Sequence, residues 1–339
     1  MNSNRNYCID FLRAIMAFLV VCNHIPFRSE IWEFFFPICR TAVPFFFMVS
    51  GYFNESLKNR DGFAQRQIRK IAFLVLYSNL FFFIYHISIK FLANENVSHY
   101  IFDCFSLQRI ATFFLLNSSQ FEGSLWFLGT LLYCLILTFF VRRLHWINAV
   151  LAIVPILFGL NIILGKYFFF LTGHNLPWTA VRNVLFVGVP YFYLGIFIRN
   201  HQAKIEQLLN KRMLIALIFI FYCIIVCENE IHLRFNPNGV TDFFIFLPFL
   251  TASIFLLAIS YPELSKNSVV SQIGFQYSLM IYIIHPVFID LFNFIDHSVH
   301  FNIFISNLLP FAVFLLSLLF AMIFQKFVQI NVGNRASNS

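Results

Sequence analysis

The chain has 339 residues, of which 60% are hydrophobic, 11% are charged and 50 are phenylalanine. A soluble domain of this length cannot cover that much apolar surface, so the composition excludes a soluble globular protein and points to an all-α, polytopic integral membrane bundle. The net charge of +8 follows the loops between apolar stretches and is a topology signal, so no nucleic-acid partner is expected.

About ten spans are predicted, at roughly 8–25, 34–53, 71–92, 124–141, 147–164, 182–198, 213–227, 240–259, 273–293 and 303–327. With the amino terminus inside, the cytoplasmic segments collect most of the 23 basic residues and the outer segments most of the 15 acids. The positive-inside rule therefore places both termini in the cytoplasm. No cleavable signal and no separate soluble domain are expected, so residues 1–339 read as one transmembrane domain. The seven cysteines form no framework. Cys223 and Cys227, one turn apart, read as packing, and no metal is expected.

The first span, CIDFLRAIMAFLVVCNHI, carries Asp10, Arg13 and His24, groups that are costly in hydrocarbon when unpaired. Arg13 and His24 fall on one helical stripe, about 16 Å apart along the axis. Asp10 can pair with Arg13 on the same face. The second span is expected to end in SGYF (Ser50 to Phe53), where a Ser-Gly pair offers a hydroxyl and a close backbone approach.

Arg66 and Arg69 then share a face on the helix entering the third span. They serve the positive-inside rule, touch anionic lipid heads, or fork onto the phosphates of a nucleotide-bearing ligand. The segment containing FDCFSLQRIATFFLL is amphipathic and is expected to lie along the outer interface. SLWFL opens the fourth span with Trp126, an interfacial belt position. The sixth span reads PYFYLGIFI, with Gly195 open to a neighbouring helix. The ninth, IGFQYSLMIYIIHPVF, carries Ser278, Tyr282 and His285 as a polar stripe. His285-Pro286 reads alternatively as a kinked end with a capped histidine.

These motifs, in this order and over nearly the whole chain, resemble the acyltransferase-3 family of bacterial membrane acyltransferases. The most specific likeness is the arginine, ten residues, then histidine of the first span. The lack of an added soluble domain is similar to the compact O-antigen O-acetyltransferases. At Ser124 the chain departs from the histidine that many relatives carry.

The resemblance implies a multi-pass protein of the bacterial inner membrane. Such a protein takes acetyl from cytoplasmic acetyl-CoA, the acyl donor and co-substrate, and delivers it to a hydroxyl of a glycan or lipid-linked glycan. Carried over by motif, His24, Arg13 and Asp10 are the expected catalytic set, with Arg66 and Arg69 binding the donor. Ser50, Trp126, Tyr282 and His285 are expected to contact the acceptor. Besides the glycan, membrane lipids are the expected partners. A transporter or flippase for a glycan precursor is the alternative reading.

Overall fold

The computed structural model describes residues 5–236 and 243–337. Residues 1–4 and 338–339, and the first three of the expected span 240–259, lie outside them. Every regular element among the described residues is helical, as backbone groups in hydrocarbon require. In chain order the helices are α1 Tyr7–His24, α2 Ile31–Cys39, α3 Ala42–Ser56, α4 Phe63–Leu92, α5 Val97–Cys104, α6 Leu107–Leu116, α7 Trp126–Arg143 and α8 Ile147–Gly165. Then follow α9 Phe168–Thr172, α10 Trp178–Val181, α11 Val189–Leu208, α12 Lys211–Phe235, α13 Leu247–Ser260, α14 Val269–Val299 and α15 Ile303–Ser337.

Among the described residues, eight helical stretches are long and apolar enough to cross a membrane. They comprise α1, α2 with α3, α4, α7, α8, α12, α14 and α15. The two remaining expected spans, 182–198 and 240–259, overlap α11 and α13, neither of which is among these eight. The last turns of α11 carry Arg199, Lys204 and Glu206, and α13 is only 14 residues long.

Several boundaries differ from expectation for local reasons. The second span is two helices that break at Arg40 and Thr41, with Pro44 in the first turn of α3, where a missing amide hydrogen costs nothing. SGYF does not end a helix, because α3 runs on to Ser56. The amphipathic segment is also two helices, since Ser106 accepts from the Arg109 amide and starts α6 afresh.

The chain divides into two compact units. The first comprises residues up to Val43, 211–227 and from Phe249 onward. Its core joins α1, α14 and α15 through Ala17, Val21, Ile25, Ile281, Leu309, Val313, Leu318 and Ala321. Small residues set the contact between α1 and α14. Ser271, Gly274 and Ser278 share a face of α14, opposite Asp10 and Ala14 of α1. A Cβ on Gly274 would sit 1.8 Å from the Asp10 carbonyl oxygen, so only glycine allows the two backbones to approach this closely.

The second unit comprises residues 44–210 and 228–248. Two glycines seat α3 against α11 in the same way. A Cβ on Gly51 would meet the Phe192 carbonyl oxygen at 1.9 Å, and one on Gly195 would meet that of Met48 at 2.1 Å. The close approach expected of Gly51 and Gly195 is therefore real, although Gly51 lies within a helix.

Candidate active site

In the first unit the polar groups of α1 and α14 gather at two levels. Asp10, 4% exposed, lies in the first turn of α1. Its carboxylate accepts from Arg13 Nη1 at 3.1 Å and from Arg5 Nε at 2.8 Å. The Arg13 pairing is the local contact expected three residues along a helix. The Arg5 pairing was missed, because Arg5 precedes the helix and no periodicity fixes its direction. Its guanidinium lies over the Phe275 ring at 4.2 Å and donates to the Ser271 carbonyl at 3.3 Å, which ties it to α14. Two guanidinium groups on one carboxylate leave this level with an excess of positive charge.

The second level lies further along the same helices. Both run in the same direction between Asp10 opposite Gly274 and His24 opposite His285. The ring centroids of His24 and His285 are 5.1 Å apart. His24 is the exposed last residue of α1, whereas His285 is fully buried.

Pro286 explains the state of the His285 ring. A proline has no amide hydrogen, so it cannot bond the carbonyl four residues earlier, that of Tyr282. His285 Nδ1 occupies that acceptor at 2.7 Å. A carbonyl only accepts, so Nδ1 carries the ring hydrogen and Nε2 keeps its lone pair. Nε2 is buried and has no hydrogen-bond partner among the described residues. The helix continues through Pro286 to Val299, so the reading of a kinked helix end is corrected. The His-Pro pair was a legible signal for this tautomer. Tyr282, 4% exposed, lies one turn before, its ring 6.1 Å from that of His285.

The other expected site residues belong to the second unit. Arg66 and Arg69 lie in the first two turns of α4 and both are exposed. The Arg66 guanidinium folds back over Gly62, where a Cβ would meet Nη1 at 3.0 Å. The Ser50 hydroxyl donates to the Phe46 carbonyl of its own helix at 2.8 Å. Trp126 is buried at the start of α7, its ring 6.2 Å from Phe47, so it packs inside the protein. Glu122 accepts from the Ser124 amide at 2.9 Å and so caps the turn that leads into α7. No cluster of three or more His, Cys, Asp or Glu side chains that could hold a metal ion occurs among the described residues.

An acyltransferase domain of the acyltransferase-3 type matches residues 6–326, which takes in every residue of this site except Arg5. The chain belongs to the acyltransferase-3 family. It is also similar to an amino-acid racemase of Enterococcus faecalis, at 24% identity over 311 residues. That match covers 83% of this chain but 40% of the racemase, so the chain spans less than half the length of that relative. No solved structure matches the chain. This acyltransferase-family protein is thus a membrane-embedded helical bundle whose polar groups, in its first unit, line up along two helices.

Proposed function

We propose that the protein is an O-acetyltransferase of the bacterial inner membrane, moving acetyl from cytoplasmic acetyl-CoA to a hydroxyl of a surface glycan such as O-antigen. The observation that carries this reading is the pair of imidazoles, His24 exposed and His285 buried with a bare Nε2. An imidazole near neutral pH both takes and returns a proton, which acyl transfer requires.

With the amino terminus inside, the Arg5–Asp10–Arg13 level faces the cytoplasm and the histidine level lies toward the far side. The positive level suits a donor rich in phosphate, and Arg66 and Arg69 offer guanidinium forks of the same chemistry. His24 removes the proton from the acceptor hydroxyl as its oxygen attacks the thioester carbonyl carbon. The carbon–sulfur bond then breaks, and the proton passes from the imidazolium to the departing thiolate. The neutral His285 ring, 5.1 Å from that of His24 between centroids, keeps an unprotonated Nε2 that can favour the imidazolium formed in that step.

The reading is tested with inverted membrane vesicles, a supply of acceptor glycan and acetyl-CoA radiolabelled in the acetyl group. Label should pass to glycan with release of free thiol, and His24→Ala should abolish both while the protein still inserts. Unchanged transfer by that variant would remove His24 from the chemistry. Wild-type vesicles that translocate glycan without consuming acetyl-CoA would favour a transporter or flippase instead.

A further inference from the structure

Arg5 stands before the first helix, yet the direction of its guanidinium is fixed. Nε donates to Asp10 Oδ2 at 2.8 Å and Nη2 donates to the Ser271 carbonyl at 3.3 Å. The central carbon lies 4.2 Å from the centre of the Phe275 ring and 5.1 Å from that of Tyr7. These four partners belong to α1 and α14, so both helices orient the group. A guanidinium carries five N–H donors in one plane. Here Nε and one donor of Nη2 are turned to the protein, while Nη1 makes no hydrogen bond among the described residues. Nη1 is not one of the buried atoms left without a partner, and the side chain is 27% exposed, so a ligand reaches it.

Charge gives the class of that ligand. Arg13 pairs with Asp10 at 3.1 Å, so the carboxylate is neutralised without Arg5, which is a surplus cation at this level. The Cys8 amide donates to the Pro262 carbonyl at 3.1 Å, which brings the turn after α13 against the start of α1. Lys211 Nζ lies 5.7 Å from the centre of the Tyr261 ring in that turn, and Glu263 there is taken by Lys266 at 2.7 Å. The surroundings therefore add positive charge and no open acid. A loop cation that serves topology alone needs no fixed direction, whereas this one is aimed.

We propose that Arg5 seats a phosphate group, Nη1 and the outer donor of Nη2 forking onto two of its oxygens as guanidinium groups do. With the amino terminus inside, two sources present a phosphate there: the nucleotide end of the acyl donor and the head of an inner-leaflet lipid. The first source deepens the acyl-transfer reading and rests on it; the second does not.

The test uses the whole protein in phosphatidylcholine nanodiscs. One arm measures binding of radiolabelled coenzyme A, and the other measures retention of added phosphatidylglycerol by native mass spectrometry. Arg5→Gln should weaken at least one of them about tenfold or more, as loss of one charge-assisted hydrogen bond does. Arg5→Lys keeps the charge beside Asp10 but loses the fork, so it should recover only part of the binding with the melting temperature of the wild type. That variant decides the matter if Arg5→Gln folds poorly. Pantetheine, which lacks the phosphates, should compete equally against wild type and variants, which separates a lost phosphate contact from loosened helices. Arg60→Gln, removing an exposed cation elsewhere, should change neither arm. A loss confined to coenzyme A names the donor as the source, and a loss confined to phosphatidylglycerol names a lipid head. Wild-type protein that binds no coenzyme A would sink the acyl-transfer reading, while the lipid arm still decides the site. Wild-type binding of both ligands by Arg5→Gln and Arg5→Lys would overturn the proposal and leave Arg5 as a counter-ion of Asp10.

Discussion

His285 Nδ1 lies 2.7 Å from the carbonyl oxygen of Tyr282, and this bond fixes which ring nitrogen holds the hydrogen. Replacing Pro286 with alanine restores a competing amide donor for that carbonyl. The Pro286→Ala helix should be as stable as the wild type or more so, because an interior proline costs roughly 3 kcal/mol relative to alanine. Acetyl transfer should nonetheless fall about tenfold as His285 loses its fixed tautomer. Thermal melting and transfer rate, measured on the same preparation, separate the two effects.

His285→Phe keeps a buried ring beside His24 but removes the bare Nε2 lone pair. The expected result is a fall in kcat of about tenfold to a hundredfold, with KM for acetyl-CoA unchanged. A raised KM with normal kcat would assign His285 to donor binding instead.

Asp10 holds both Arg5 and Arg13, so Asp10→Asn leaves two half-buried cations facing each other. Removing one partner of a buried pair costs 3–5 kcal/mol. Each arginine side chain here is about a quarter exposed, which reduces the expected cost to about 2 kcal/mol. Arg13→Gln should cost less, because Arg5 still neutralises the carboxylate. The order of melting temperatures among the three proteins decides this.

Gly274→Ala adds a Cβ that would lie 1.8 Å from the Asp10 carbonyl oxygen. The two helices must then separate, at a cost of about 1–3 kcal/mol or more. Transfer should also fall, since α1 and α14 between them carry both histidines. A Gly159→Ala control has open space around its Cβ and should neither lower stability nor change transfer.

Lys166, just past the end of α8, is fully buried, with Nζ 3.7 Å from Glu228 and 3.7 Å from the centre of the Phe244 ring. Burial lowers its pKa to about 8 from 10.5, against the pull of Glu228 toward the charged form. Between those values the unfolded chain binds the extra proton, so stability should rise with pH from about 8 to 10.5 and be lower below 8. Lys166→Met should flatten that rise, which for a shift of this size amounts to roughly 3 kcal/mol. Unfolding measured across that pH range for both proteins is the check.

Composition alone established the membrane class, and helical periodicity placed Asp10 beside Arg13 and put Ser278, Tyr282 and His285 on one stripe. These are local relations, set by 3.6 residues per turn within a single helix. The order of motifs carried the family likeness. Tertiary structure decided what periodicity cannot express. It brought His24 to His285 across 261 positions of sequence, drew Arg5 onto Asp10, and kept α3 helical through SGYF. The physical reason is that lipid-facing and protein-facing apolar side chains read alike in a chain this hydrophobic, so the pattern does not say which helix meets which. Here the partners were chosen by a few glycines that admit a backbone where any side chain would collide, and a glycine's neighbour is visible only once the helices are packed.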